Sequence, residues 1–74
     1  MSNKWGGYMI FKNLEDAIWY ILQLEERGTW NGEMAEQIKD LVSKARDLAA
    51  VHYIHVRDGD EVDAVSAKKL IPYP

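Results

Sequence analysis

Residues 51–62 read VHYIHVRDGDEV, and whether they fold back on themselves decides the fold. Val51, Tyr53, Ile54 and Val56 are β-branched or aromatic, and Asp58-Gly59-Asp60 supplies turn residues, so the stretch predicts a β-hairpin. Side chains alternate along a strand. His52, Ile54 and Val56 then share one face, while Tyr53, His55 and Arg57 share the other. The two histidines of the chain would point to opposite sides of the sheet, where they cannot hold one ion. A two-residue loop would bury Asp63 beside Ile54 and Val56 without a partner. A three-residue loop instead sets Val56 opposite Val62 and Ile54 opposite Ala64. On the other face it sets Arg57 opposite Glu61, His55 opposite Asp63 and Tyr53 opposite Val65, so that opposite charges meet.

A His55–Asp63 pair is the skeleton of a general base, but no nucleophile or second acid stands ready to complete it. The run DGDEVD (58–63) has the carboxylates of a calcium loop without its spacing. Its glycine is not at loop position six, and Lys69 sits where the bidentate glutamate belongs. The chain has no cysteine, which excludes disulfides, thiolate metal sites and cysteine nucleophiles. The expectation is a protein that is not an enzyme, with no cofactor and no metal.

Upstream of the hairpin, GGYMIF (6–11) reads as a glycine hinge and a short strand, Tyr8–Phe11. Asn13 offers an N-cap for a helix from Leu14 to Arg27, with Gly28 as its stop. TWNG (29–32) makes a turn, and Asn31 caps a second helix over residues 32–50. In that helix Met34, Ile38, Leu41, Ala45 and Leu48 recur at alternating steps of four and three, with Ala35, Val42 and Ala49 alongside. The stripe predicts packing on the protein's own core. A partner helix would use the same heptad spacing. In the first helix Leu14, Ala17, Ile18, Ile21 and Leu24 form the apolar face. Trp19 falls off it, either half covered by a loop or the N-terminal arm or, as the functional reading, an interface anchor.

With 74 residues the chain makes one domain, 1–74, with flexible arms expected at 1–6 and 70–74. The order strand, helix, helix, strand, strand predicts an α+β fold (β-α-α-β-β). Two antiparallel helices would cover one face of a three-stranded, mainly antiparallel sheet. Its open face would carry Tyr8, Ile10, Tyr53, His55 and Val65, with Trp5 and Arg57 nearby. That surface is aromatic and aliphatic for one left to water. Together with Trp19, these residues form the predicted partner-binding set.

No phosphate loop, zinc spacing, nucleophile elbow or nucleic-acid signature occurs. The profile suits a small acidic inhibitor or adaptor that occupies a surface of a larger protein, in the manner of phage-encoded inhibitors. Its expected partner is a foreign protein, with a homodimer as the second choice. The alternative is a nucleic-acid-binding domain stacking bases on Tyr8 and Tyr53, with Lys4, Lys12, Arg57, Lys68 and Lys69 on phosphates. A net charge of −3 argues against it. The longest apolar run, 17–22, is far too short for a membrane span, and the N-terminus lacks an apolar signal core. A cytoplasmic location is expected.

Overall fold

The computed structural model describes residues 4–71, with side chains from Gly6 onward. Three helices follow one another: α1 Lys4–Glu26, α2 Glu33–Asp58 and α3 Ala64–Leu70. No strand occurs among the described residues, so the fold is all-α and the predicted three-stranded sheet is not formed. Each predicted strand is helical or loop. Tyr8–Phe11 lies within α1, residues 51–57 extend α2, and Val62 precedes α3.

The physical reason is continuity. Nothing between Ala50 and Asp58 breaks a helix already running through Leu48 and Ala49. Each β-branched or aromatic residue costs it only about 0.4–0.7 kcal/mol relative to alanine. Packing offsets that cost, because at 100° per residue Ala50, Ile54 and Arg57 continue one face. Gly59, the expected turn residue, is the helix stop. Its φ is 75°, and its N–H donates to the His55 carbonyl at 2.9 Å. Asp63 is likewise no cross-strand partner of His55. It N-caps α3, accepting from the Ser66 N–H at 2.7 Å.

The expected first strand is helical for a similar reason. Four consecutive apolar residues do not distinguish strand from helix, and Gly6 and Gly7 prove to be interior to α1. Gly7 faces α2: a Cβ there would lie 3.4 Å from Cδ1 of Tyr53, an ordinary van der Waals contact, so the helix tolerates the glycine rather than requiring it. Asn13 is therefore inside α1 rather than at its cap. At the other end the chain behaves as the sequence predicts. Gly28, φ 75°, closes α1, with its N–H on the Glu25 carbonyl and the Thr29 N–H on that of Leu24, both at 3.0 Å. Asn31 does not cap α2; its Nδ2 donates to the Gly28 carbonyl at 3.1 Å, and Gly32 takes the cap position.

Helices α1 and α2 form an antiparallel hairpin, and α3 folds back on the C-terminal turns of α2. The core lies where all three meet. Phe11, Ala50, Ile54, Ala67 and Ile71 are buried there, with Tyr8, Tyr53 and Val62 packed against them. Towards the Gly28 end, Ile18, Ile21 and Ala35 are the buried residues among those described. The molecule measures 41 × 22 × 21 Å, with a radius of gyration of 13.7 Å. A compact chain of this length would have about 11 Å. It is a slab two helices wide.

The cap at Asp63 gives a pH signature. Its bonds from Ser66 hold the carboxyl below its ordinary 3.8. Burial pushes Asp47 up, but Lys68 at 2.9 Å, joined by Arg46, outweighs this and leaves it lowered too. Asp47 ties α3 to α2 through Lys68 and Asp63 caps α3 itself, and both have folded values depressed below the unfolded ones. Their contribution is thus complete above the ordinary carboxyl value and is lost as pH falls through the folded values. Carboxyl-carbon NMR should show Asp47 and Asp63 titrating below the ordinary aspartate value, with α3 amides losing protection in step. Ordinary titration at both positions would contradict the capped geometry.

Candidate functional site

The face α2 turns toward α1 is not its most apolar one. Between the helices stand charged pairs: Lys39 donates to Glu25 at 3.0 Å, and Arg46 lies 3.6 Å from Glu15. One Glu15 carboxylate oxygen is buried with no hydrogen bond within reach. Meanwhile Met34, Leu41 and Leu48, spaced seven residues apart, are 76%, 65% and 70% exposed. Ile38, Ala45 and His52 fill the intervening heptad positions and are also exposed. The stripe predicted to pack on the protein's own core instead forms a ridge along the outside of α2. Its neighbours Ala35, Val42 and Ala49 face inward.

Two amphipathic helices joined by a short turn can bury both stripes against each other. Here α2 is rotated so that Ala35, Ala50 and Ile54 are buried and Lys39 and Arg46 reach Glu25 and Glu15, which leaves the bulkier stripe outside. Residues 51–58 lengthen α2, and the remaining segment, α3, covers the opposite flank. Two open grooves border the ridge near Leu48. One, of about 460 Å³, is lined by Gly7, Ile10 and Leu14 of α1 with Ala45, Leu48, Ala49 and His52 of α2. The other, of about 430 Å³, is lined by Leu48, Val51, His52, His55, Glu61 and Val62. Both are predominantly apolar.

The predicted binding residues do not form one surface. Tyr8 and Tyr53 pack on the core with ring centroids 6.0 Å apart, and the Arg57 guanidinium lies 5.4 Å from the Tyr53 ring centre. Arg57 is also held by Asp58 at 2.9 Å, the chief cause of its raised pKa. Ile10 and His55 sit in the two separate grooves, and Val65 is exposed on α3. Trp5 lies in α1, and its side chain is outside the described residues. Trp19 stands off the apolar face and is 61% exposed, beside the exposed Tyr20. What the sequence reading missed is the ridge itself. Its heptad spacing was visible; its exposure was not.

Helical geometry also revises the histidines. At i and i+3, His52 and His55 share one side of α2 rather than opposite faces of a sheet. Glu61 borders the same groove. Even so, among the described residues no group of three or more potential ligands comes close enough to hold a metal ion. No described helix is long and apolar enough to cross a membrane.

Trp19→Ala should change stability by less than about 1 kcal/mol, because little of the ring is covered. Ile21→Ala, two positions on and buried, should cost about 2–3 kcal/mol. Urea denaturation of both variants checks the pair; equal losses would place Trp19 in the core. Comparison of the chain with family models, with curated proteins and with solved structures finds no significant match.

Proposed function

We propose that this protein is a non-enzymatic protein-binding module, an inhibitor or adaptor, that receives an amphipathic helix on the outer face of α2. The observation that carries this is the exposed row Met34, Leu41 and Leu48 with Ile38 and Ala45, while charged pairs occupy the seam between α1 and α2. An apolar row at heptad spacing, flanked by grooves and rimmed by charge, is the surface that helix-in-groove recognition uses. Exposed Trp19 and Tyr20 on α1 offer a second contact area on a different side.

The nucleic-acid alternative has less support. Tyr8 and Tyr53, its stacking platform, are engaged with each other and with the core. Arg57 and Lys68, two of its phosphate contacts, are paired with Asp58 and Asp47.

Leu41→Glu/Leu48→Glu tests the reading. Both side chains are exposed, so the fold of the isolated chain should be retained by circular dichroism. Every helix-mediated association of the protein, with itself or with a foreign chain, should be lost. Undiminished association would refute the assignment of the site to α2.

A further inference from the structure

We propose that the occupant of this ridge is a second copy of the chain, docked with α2 antiparallel to α2 about a two-fold axis close to Ala45. The inference rests on the ridge being the binding surface and names what covers it. Self-complementarity is the first reason. About an axis at Ala45, Leu41 of one copy comes level with Leu48 of the other, Ile38 with His52, and Met34 with His55. The ridge thus meets apolar surface through its centre, and the histidines fall toward the ends.

Shape is the second. Leu41 of the second copy arrives at the groove walled by Ile10 and Leu14, and its Met34 arrives near the groove walled by Val51 and Val62. Ridges then enter grooves in both directions, which a two-fold axis requires. The antiparallel sense also places the two α3 helices at opposite ends, and it opposes the two helix dipoles. A parallel pair would stack His52 on His52 and His55 on His55.

Area agrees, and charge does not oppose the pairing. Met34, Ile38, Leu41, Leu48 and Ile10 leave on the order of 600 Å² of side chain uncovered, against about 800 Å² per partner in a standard interface. Ala45, His52 and the rim supply the difference. On that rim Lys44 approaches its own counterpart across the axis, and each is paired with its own Asp40 at 2.9 Å. The separate copy is also short of core: of the eight buried apolar side chains among the described residues, three are alanines (Ala35, Ala50 and Ala67). Two slabs placed ridge to ridge make a four-helix bundle with α3 at each end.

Sedimentation equilibrium of the full chain at tens of micromolar should give twice the 8.5 kDa chain mass. Leu41→Glu/Leu48→Glu should sediment as a folded monomer, its dissociation constant raised at least about 100-fold. With no native cysteine, single cysteines then report the register. Ala45→Cys should oxidise to a covalent dimer. Leu41→Cys alone should not, because its counterpart lies about 10 Å away along the axis. Mixing Leu41→Cys with Leu48→Cys should restore cross-linking. Efficient cross-linking of Leu41→Cys alone would mean a parallel pair and overturn the proposal, as would a strict monomer. If that monomer captures a foreign protein that the double-glutamate variant loses, the binding surface stands and only its occupant is wrong. If the double variant changes no association at all, both fall.

Discussion

His52→Pro should unfold the protein. The position is exposed, so the substitution removes little side-chain packing, and its effect is on the backbone. Position 52 lies well inside α2, with six residues still to run before the stop at Gly59. Proline there loses the hydrogen bond to the Leu48 carbonyl, and its ring collides with that oxygen, a cost of about 3 kcal/mol or more. The kink also displaces Ile54 and Arg57, on which α3 rests, so the loss exceeds the local term. A domain this small holds only several kcal/mol in total. Val56→Ala supplies the control. In a helix, replacing exposed valine by alanine is neutral or gains a few tenths of a kcal/mol, whereas in a strand it loses stability. The expected result is collapse of the helical circular dichroism for His52→Pro and an unchanged or raised urea midpoint for Val56→Ala. A folded His52→Pro protein, or a weakened Val56→Ala one, would show that residues 51–57 are not the end of a long helix.

That contrast marks how far the sequence could be read. The stop at Gly28, the turn after it and the amphipathic character of residues 34–49 were legible, because glycine conformation and a 3.6-residue period are local. Residues 51–57 were not. Val, Tyr and Ile favour strands through what they pack against, not through any strong backbone preference of their own. Here Ile54 finds Ala50, Phe11 and Ala67, all reached more directly by continuing α2. Asp58-Gly59 was ambiguous in the same way, since glycine at positive φ serves a hairpin turn and a helix stop equally. Asp63 likewise suits a cross-strand ion pair or an N-cap, and only the element after it decides.

The candidate site shows the same limit. Spacing identified Met34, Ile38, Leu41, Ala45 and Leu48 as one stripe, but spacing is identical for a stripe that packs inward and one that meets a partner. The rotation of α2 is set by the other face. Ala35, Ala50 and Ile54 are buried there, and Lys39 and Arg46 reach Glu25 and Glu15 across the hairpin. Small alanines on α2 allow close approach to α1. A stripe rich in larger side chains would hold the helices apart. Close packing of small residues and long charged side chains between α1 and α2 therefore leaves the bulky apolar row outside.

Phe11→Ala tests the helical register of the segment that looked most like a strand. In a strand Met9 and Phe11 would share a face and contribute alike. In α1 they lie about 160° apart, and the exposures differ accordingly: Phe11 is 2% exposed and Met9 47%. Phe11 packs where α1, α2 and α3 meet, in one cluster with Ile54, Ala67 and Ile71. Its truncation leaves a cavity that no single helix can close, because each of the three is held by contacts elsewhere. The expected cost is about 3–5 kcal/mol, enough to unfold the domain. Phe11→Leu keeps much of the volume and should lose about 1–2 kcal/mol, which keeps the effect measurable by urea denaturation. Met9→Ala should stay within about 1 kcal/mol. Losses of similar size at positions 9 and 11 would restore the strand and with it the α+β fold. A large loss at 11 alone fixes α1 through the glycines, and with it the orientation that leaves the α2 ridge uncovered.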